Sequence, residues 1–585
     1  MDQESAFRAY FDISEEDLAF KKMVREIARR DFLPLAAIAS LAPGTMPEAL
    51  AKALTPEALL AFEPLGNVTL LHITDTHATL LPMYYREPDT VLGVGDEQGR
   101  PPYLTGEALL RAYRIQRGTA EAYLASHLDF AELSAKYGKM GGYAHLATLV
   151  KRVRGERHGK TLLLDSGDAF QGSATALWTR GEDMLWASNQ LGVDVLTGHW
   201  DFTYGPERVK ELFGDQEHGG RFTGEFLAHN VKDATWGDRR FRPYTIRDVG
   251  GQRIGIIGQA FPYVAVSHPR WLIGDLSFGI EEDRIGALAR ELRERHGVAL
   301  VVLLSHNGFA ADRKLAGRVP GIDVILGGHS HDALPQPFLV GRTLVVGSGA
   351  HGKFLSRLDL DIRGGQIAAY RYKLIPVLSR YIPGDPEMAA LIRRIRGPYE
   401  EKLSQVLAVS ESLLYRRNNF TGTIDEVILD ALLKHFDAQV AFSPGFRWGI
   451  TIIPGQPITL EDVLAHTAIT YPHTWVRQMA GTEIHAILED VADNLFHRDP
   501  YYRQGGDMLR MGGLSYAIAI HKDMGQRISD IRIGGQLLDP HRRYKVTGWA
   551  SLRQTDGPPA FEVVAGHLRS LKRVRIDPPA RVRTL

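Results

Sequence analysis

Residues 70–80 read LLHITDTHATL, and this segment is the most informative part of the chain. Its apolar residues are typical of a buried β-strand, and Asp75 and His77 follow where that strand gives way to a loop. In open α/β sheets, binding sites form at this edge of the sheet. The segment therefore predicts a strand with two potential metal ligands just beyond its carboxyl end.

Further segments repeat this arrangement of an apolar run followed by a carboxylate or an imidazole. They are LLLDSGDAFQG (162–172, with Asp168), VLTGHWDFTYG (195–205, with His199), VVLLSHNG (301–308, with His306) and VILGGHSHD (324–332, with His329 and His331). Taken singly, His306 is more often a hydrogen-bonded residue than a ligand, and Asp75 is equally suited to cap a turn or a helix. Packing does not explain the joint pattern, because so many unpaired polar groups after buried strands would be costly. The pattern predicts an enzyme that holds two divalent metals side by side.

The composition is that of an ordinary globular protein, with 44% hydrophobic and 24% charged residues among 585. Because this length exceeds one compact core, we expect two domains. Lys plus Arg and Asp plus Glu balance at 69 each, so no global field recruits nucleic acid or an acidic membrane, and a small or protein-bound substrate is favoured.

The chain has no cysteine, which excludes disulfides, thiolate metal sites and a cysteine nucleophile. Any metal is then held by oxygen and imidazole ligands, which suit Mn, Zn or Fe.

The amino-terminal region, residues 1–65, is predicted to be an extension with an export signal. Arg29 and Arg30 precede an apolar stretch that is too short to span a bilayer, and this pattern resembles a twin-arginine signal. The alternative is the end of an amphipathic helix with two solvated arginines. No other stretch approaches the length of a membrane span. We therefore expect a periplasmic protein that is exported in the folded state.

The rest of the chain divides into two domains joined by a helix. Residues 66–380 alternate strand-like and helical patterns, a βαβ rhythm that predicts a sheet covered by helices on both faces. Residues 381–400 have the pattern of a linking helix that begins near Pro383 and Pro386. Residues 401–585 mix a helical segment with strands and Gly/Pro loops, which predicts a second α/β or α+β domain.

The motifs ITDTHA, GDAFQGS, GHWDFTYG, SHNG and GGHSHD occur in an order that resembles the calcineurin-like metallophosphoesterases, in particular the two-domain bacterial 5′-nucleotidases. The resemblance covers about residues 66–560 and implies a four-layer αββα sandwich followed by an α/β domain like the 5′-nucleotidase C-terminal domain. It also implies the metal ligands, which are Asp75, His77 and His331 for one metal, His199, His306 and His329 for the other, and Asp168 as a bridge through its two carboxylate oxygens. Two neighbouring cations need such an anionic bridge, and together they acidify a shared water so that hydroxide forms near neutral pH.

The third motif departs from the family pattern Gly-Asn-His-Glu-Phe-Asp, in which the Asn binds metal and the His, paired with the Asp, protonates the leaving oxygen. Here His199 replaces the Asn, Trp200 replaces the acid and Thr203 replaces its partner. An indole N–H donates a hydrogen bond but does not act as an acid, and general acid catalysis is typically worth about two to four powers of ten in rate. A site without the acid suits a leaving group that is stable as an anion, such as a sulfur anion. We predict that cleavage of a sulfur bond depends on Asp168, His199, Trp200 and Asp201.

The second domain also departs from the nucleotidase pattern. Nucleotidases of this family hold the base between two aromatic rings, in a Pro-Phe-Gly-Asn segment and a Gly-Gly-Asp-Gly-Phe loop, whereas the corresponding stretches here read TYPHTW and TDGPPAF. We therefore do not expect a base clamp. Cationic and amide side chains persist, and we predict that they bind an anionic substrate group: Arg416, Arg417, Asn419 and Arg447. The alternative is a solvated helix entrance without a substrate role.

The combination of GHWDFTYG, RRNNFTGT and an apparent twin-arginine signal resembles the thiosulfohydrolases of the bacterial Sox sulfur-oxidation pathway. This resemblance implies that the terminal sulfonate of a cysteine-linked thiosulfonate on the carrier protein SoxYZ is hydrolysed to sulfate by a hydroxide shared between two manganese ions. Zn or Fe fits the same ligands. We expect a monomer. Two alternatives stay open: a periplasmic 5′-nucleotidase or other phosphoesterase, and a non-catalytic metal-dependent binding module.

Overall fold

The structure, a computed structural model, describes residues 61–585. Arg29, Arg30 and the rest of the predicted export signal lie outside these residues. Across the described range, no helix combines the length and the apolar character that are needed to cross a membrane.

Two six-stranded sheets form the first domain. The strands of the first sheet are, in spatial order, Gln366–Pro376, Phe354–Arg363, Val68–Ile73, Thr161–Asp165, Val195–Leu196 and Glu225–Phe226. Those of the second sheet are Phe338–Val340, Thr343–Gly347, Val324–Gly327, Leu300–Ser305, Gln252–Gln259 and Tyr244–Val249. The central strands of each sheet are parallel. Parallel strands are buried on both faces, which explains their continuous runs of Leu, Val and Ile.

The two sheets pack face to face, and apolar side chains at alternate strand positions fill the space between them. Val68 and Leu70 of the first sheet and Val302 and Leu304 of the second belong to this core and are fully buried. The structure thus differs from the single sheet suggested by the βαβ rhythm, because the inner face of each sheet is covered by the other sheet rather than by helices. The αββα sandwich that the resemblance implied is confirmed.

Helices form the two outer layers. The first sheet packs against Tyr143–Glu156, Ala174–Thr179, Glu182–Leu191 and Pro206–Phe213, and the second against Glu282–Glu294 and Phe309–Ala316. Leu71 and Leu163 point from the first sheet into its helical layer, and Ile257 and Val301 do so from the second. Between Val68–Ile73 and Thr161–Asp165, the chain adds the helices Gly106–Tyr113, Ala120–Ala125 and Phe130–Tyr137.

A helix between the domains spans Pro386–Arg396, inside the segment that the sequence predicted as a linker. Asp385 caps it by accepting a hydrogen bond from the Met388 backbone N–H at 2.9 Å, and Pro386 stands at the start, where a missing N–H is tolerated. Met388 and Leu391 belong to the apolar core of the first domain. The linking helix is therefore packed against the first domain, and a short helix, Glu400–Leu403, leads on to the second.

The second domain combines helices with small sheets. The helices are Thr423–Phe436, Leu460–Thr467, Gly481–Phe496 and Ala560–Leu571. The sheets are, in strand order, Thr474–Ala480, Arg543–Trp549, Val440–Ser443 and Arg510–Gly512; then Gln536–Leu537, Ile528–Ile533, Leu514–Ile518 and Val582–Thr584; and Pro457–Thr459, Val406–Ser410 and Arg573–Val574. One apolar core surrounds Leu432 and Leu464, and another surrounds Leu488 and Val546.

Candidate metal centre

The predicted ligands meet where parallel strands of both sheets end. Asp75 and His77 follow Val68–Ile73, Asp168 follows Thr161–Asp165, His199 follows Val195–Leu196, His306 follows Leu300–Ser305, and His329 and His331 follow Val324–Gly327. The ligand atoms form two groups, in each of which they lie within 4.8 Å of one another: Asp75, His77, Asp168 and His331, and Asp168, His199, His306 and His329. Because Asp168 belongs to both groups, the arrangement is that of a dinuclear metal site.

One oxygen of Asp168 lies at the centre of the site. Its Oδ2 is 3.3 Å from His199 Nδ1, 3.2 Å from His306 Nε2 and 3.7 Å from His77 Nε2. Its Oδ1 accepts a hydrogen bond from the Trp200 backbone N–H at 2.7 Å. Oδ2 is thus the oxygen nearest to both groups of ligands, and the bridge through both oxygens that the resemblance implied stays a prediction.

Hydrogen bonds outside the site orient the imidazole ligands. His77 Nδ1 lies 3.2 Å from the Gln171 carbonyl oxygen, and His306 Nδ1 lies 2.6 Å from that of Ser166. His199 Nε2 lies 3.2 Å from Ser267 Oγ. Each contact occupies one ring nitrogen and leaves the other directed at Asp168, which is how proteins fix the tautomer of a metal-binding histidine. The donor set therefore fits divalent cations.

The electrostatics of the site also favour cations. Although burial opposes it, the imidazoles of His199 and His306 hold the pKa of Asp168 well below its ordinary value. Burial likewise favours a neutral His306, but Asp168 and Asp75 raise the pKa of His306 to about 10. The carboxylates of Asp75 and Asp168 thus favour positive charge at the centre, so that protons and metal ions compete for the same place.

The backbone of the ligand loops is strained. The φ angle is positive at Asp75 (51°), His77 (45°), Asp168 (57°), His329 (74°) and His331 (61°). Residues other than glycine rarely adopt this conformation, and it persists only where the surrounding structure compensates its cost. Each loop therefore bends sharply to aim its side chain at the centre, and Asp and His are among the residue types that adopt this conformation more often than others.

Asp201, which the sequence placed among the catalytic residues, acts on the backbone of the ligand loops. Its carboxylate accepts hydrogen bonds from the backbone N–H groups of Asp168 at 2.9 Å, Ala169 at 3.1 Å, Phe170 at 3.1 Å and His199 at 3.0 Å. It is completely buried. Asp201 is therefore a positioning residue, since it ties the loop of Asp168 to the loop of His199.

Trp200, which the family resemblance places where an acid is expected, lies beside the metal centre. It is 5% exposed, and its ring centroid is 5.2 Å from that of His199 and 4.4 Å from that of His268. Thr203, at the position of the acid's partner, makes a 2.6 Å hydrogen bond with Thr470 of the second domain. The indole therefore packs against two imidazole rings, and the Thr203 hydroxyl is engaged by the second domain.

A cavity of about 190 Å³ opens next to the ligands. Besides His77, Asp168, His199, His329 and His331, it is lined by residues that include Trp200, Phe261, Ser267, Phe446, Arg447, Trp448 and the loop Gln504–Asp507. Both domains contribute to its wall. Tyr471 of the second domain donates a 2.7 Å hydrogen bond to the Ser267 carbonyl oxygen, and Gln171 of the first donates one to the Ala468 carbonyl oxygen at 2.8 Å.

The predicted anion-binding residues have different surroundings. Arg447 lines the cavity and donates to the carbonyl oxygens of His329 at 3.3 Å and Gly506 at 2.6 Å. Arg417 and Asn419 line an adjoining cavity of about 90 Å³, which also includes Arg447, and both donate to Asp507. They are therefore close to the metal centre, with part of their hydrogen-bonding capacity already used.

Arg416 does not lie at either cavity. It is 2% exposed and forms an ion pair with Asp425, 3.1 Å between Nε and Oδ1. It also donates to the His466 carbonyl oxygen at 2.9 Å. Its charge is balanced inside the second domain, so the structure separates Arg416 from the substrate role that was predicted for it together with Arg417.

Two histidines near the centre carried no signal in the sequence. His351 packs its ring 5.6 Å from that of His77, and its Nδ1 lies 2.9 Å from Thr79 Oγ1. His268 contacts Trp200 on the other side. Neither belongs to a strand-end motif of the kind that marks the ligands, so only the folded chain brings them to the site.

Comparison with known protein families agrees with this geometry. Residues 68–333 match the calcineurin-like phosphoesterase family, and residues 406–563 match the 5′-nucleotidase C-terminal domain. The 5′-nucleotidase of Homo sapiens is 27% identical over 433 residues, which cover 66% of this chain and 72% of that protein. The 5′-nucleotidase precursor of Thermus thermophilus shares the fold, with a TM-score of 0.69 at 23% identity over 88% of this chain and 99% of that one. Fold and site define a two-domain metallophosphoesterase-type hydrolase.

The sulfate thiohydrolase SoxB of Thermus thermophilus is more similar than these nucleotidases. It is 40% identical, with a TM-score of 0.86, over 90% of this chain and 98% of that one. The chain belongs to the SoxB family within the calcineurin-like phosphoesterases.

Proposed function

We propose that this protein hydrolyses the terminal sulfonate of a cysteine-linked thiosulfonate on the carrier SoxYZ, in the periplasm and with two manganese ions. The observation that carries the proposal is the packing of Trp200 against His199 beside the two groups of metal ligands, where the resemblance to the metallophosphoesterases leads us to expect the acid. The similarity to a sulfate thiohydrolase supports it.

The proposed reaction is Cys–S–S–SO3⁻ + H2O → Cys–S–S⁻ + SO4²⁻ + 2 H⁺. The bond between the sulfonate sulfur and its neighbour breaks, and its electron pair leaves with the persulfide. Two bound cations would supply positive charge for the sulfonate oxygens and would acidify a water molecule. Asp168 would hold both cations, and Asp201 fixes the loops that carry Asp168 and His199.

Two titratable side chains beside the centre, Asp507 of the cavity wall and His268 against Trp200, are poor proton donors at neutral pH. Although burial opposes it, Arg417, Arg510 and Arg447 hold the pKa of Asp507 below its ordinary value, so this carboxyl is ionised at neutral pH. Burial lowers the pKa of His268 to about 3, so this ring is neutral there. A leaving group that departs as an anion is then favoured, and a persulfide does so more readily than an alcohol, because thiols ionise near pH 8.5 and an adjacent sulfur lowers this pKa further.

Arg447 is the cationic side chain of the cavity. Its Nη1 and Nη2 are engaged by the carbonyl oxygens of His329 and Gly506, which hold the guanidinium in place. Its Nε has no hydrogen-bond partner among the described residues, although Asp507 Oδ1 lies 3.7 Å away. Because this nitrogen is buried, the positive charge of the partly exposed guanidinium, rather than a free donor, would attract an anionic substrate group.

The test is release of sulfate from a carrier whose cysteine bears a thiosulfonate, incubated with the manganese-loaded protein and followed by ion chromatography. We expect multiple turnovers per enzyme. Absence of sulfate at full manganese occupancy would leave a metal-dependent binding module as the better account, and rapid phosphate release from AMP would favour a nucleotidase.

A further inference from the structure

One wall of the cavity consists of three aromatic rings and is here called the aromatic wall. Trp200 comes from the first domain, and Phe446 and Trp448 come from the second. Phe446 and Trp448 are stacked, with ring centroids 4.0 Å apart and an interplanar angle of 21°. Trp200 meets both rings edge-on, at 5.5 Å from Phe446 and 5.0 Å from Trp448. The two indoles are 5% and 2% exposed. The wall is therefore a packed surface rather than a set of mobile side chains.

The aromatic wall runs along both halves of the metal centre. Trp448 has its ring 5.4 Å from that of His77, which belongs to one group of ligands. Trp200 has its ring 5.2 Å from that of His199, which belongs to the other. When a substrate group is held at the centre, the atoms attached to that group therefore lie next to the faces and edges of these rings.

Two polar side chains of the cavity, those of Asp507 and Ser267, have little hydrogen-bonding capacity left for a polar leaving group. The carboxylate of Asp507 is engaged by Arg417, Arg510 and Asn419. Ser267 Oγ donates to the Val264 carbonyl oxygen at 3.2 Å and lies beside His199 and His268. A sugar or another hydroxyl-bearing group placed against the wall would lose hydrogen bonds to water without replacing them.

We propose that the aromatic wall is the binding site for the divalent sulfur atoms of the leaving group. The proposal rests on the function proposed above. It assigns a binding site to the part of the substrate that the metal ligands do not contact. Divalent sulfur is apolar and polarisable, and it makes favourable contacts with aromatic rings at a separation of about 5 Å, often at the ring edge. A chain with one more sulfur between the cysteine and the sulfonate makes one more such contact.

The experiment compares two loaded forms of one carrier protein, Cys–S–SO3⁻ and Cys–S–S–SO3⁻. The readout is the ratio of kcat/KM for sulfate release from the longer form to that from the shorter form. We expect the wild-type protein to prefer the longer form, and Phe446→Leu to lower this ratio about two- to tenfold, the range that sulfur–aromatic contacts are worth. Because leaving-group chemistry is the same in every variant, a change in the ratio reports on recognition alone.

The control is Phe436→Leu, which removes a partly buried ring of the same domain that does not line the cavity. It should leave the ratio unchanged. Trp448→Leu tests the same ring stack if Phe446→Leu is insoluble, and Trp448→Phe should keep the ratio because it retains a ring. An equal ratio in the wild type and Phe446→Leu, or no preference for the longer form in the wild type, would overturn the proposal. If the wild type released sulfate from neither form, the proposed function itself would be wrong, which is a different outcome.

Discussion

At the scale of single residues, the metal centre follows from the sequence to an unusual degree. Each of the proposed ligands follows a strand-like run, and the ordered set of motifs, rather than any single motif, leads to the residues that the structure brings together. The hydrogen bonds of Asp201 and the positive φ angles of Asp75 and His331 could not be inferred in this way, because they depend on loops that meet only in the folded chain. The same holds for Arg416, whose partner Asp425 removes it from the cavity.

Trp200→His tests whether the missing acid matters for the proposed substrate. We expect sulfate release from the thiosulfonate carrier to stay within about tenfold of wild type, because the leaving persulfide needs no proton. The double variant Trp200→His/Thr203→Asp should in contrast raise phosphate release from AMP, by up to the two to four powers of ten that a general acid typically provides. Trp186→His, at a partly exposed helix position, is the control. Loss of sulfate release with both metals still bound would contradict the argument from leaving-group stability.

Asp201→Asn tests the positioning of the ligand loops. The amide NH2 would face two of the four backbone donors that the carboxylate now accepts, so the variant should lose about 1–3 kcal/mol of unfolding free energy. Manganese affinity should fall by about 10- to 100-fold, as is usual when a group that orients ligands is removed. Urea unfolding and metal titration measure the two effects. Asp215→Asn removes another carboxylate that accepts backbone N–H groups, remote from the centre, and should leave manganese affinity unchanged. If Asp201→Asn bound manganese as tightly as the wild type, the loops of Asp168 and His199 would hold their shape without the Asp201 carboxylate.

At the scale of elements, the sequence identified strands and helices of the first domain well and their layering less well. A run such as Leu300–Ser305 shows that both of its faces are buried, but not whether a helix or another sheet covers each face. In the structure, one face of this strand packs against the other sheet and the other face packs against helices. The loop Gln504–Asp507 is a second example, because its glycines mark a turn in the sequence, whereas its contact with His329 appears only in the fold.

Gly505→Ala tests the fit of that loop to the metal centre. A Cβ at this position would lie 2.0 Å from His329 Nε2, so either the loop or the ligand must move. We expect manganese affinity and kcat/KM for sulfate release to fall by about tenfold or more, by analogy with other changes that misplace a metal ligand. Gly525→Ala is the matched control, because Gly525 has a similar φ of +86° with no atom near the added Cβ. The control pays the same backbone cost, about 1 kcal/mol, and should bind manganese normally. Equal behaviour of the two variants would show that the contact with His329 is irrelevant.

At the scale of the whole molecule, the burial of neutral histidines lowers the free energy of unfolding in acid. Burial lowers the pKa of His72, His229 and His268 to about 3 in each case. In the unfolded chain these groups return to the ordinary value near 6.5. Below that pH the unfolded state takes up protons that the folded state does not, so the free energy of unfolding falls as pH falls towards 3. Each histidine contributes about 1.4 kcal/mol per pH unit to this loss.

His229→Gln tests this account away from the metal centre. His229 is fully buried with Nε2 hydrogen-bonded to Gln259, and a glutamine has no proton to take up in the unfolded state. The variant should therefore lose less stability than the wild type between pH 6.5 and pH 4.5, as measured by urea unfolding at each pH. His158→Gln, at an exposed position, should keep the wild-type slope. An unchanged slope in His229→Gln would contradict the assignment.

The most direct measurement compares two products from one preparation of the protein loaded with manganese. Sulfate release from the thiosulfonate carrier and phosphate release from AMP are followed side by side, with metal content determined on the same sample. With Trp200 in place of an acid, sulfate release should be faster than phosphate release by at least about two powers of ten. This is the lower end of the rate gain that a general acid typically provides. Phosphate release as fast as sulfate release would show that Trp200 does not decide the chemistry of this site.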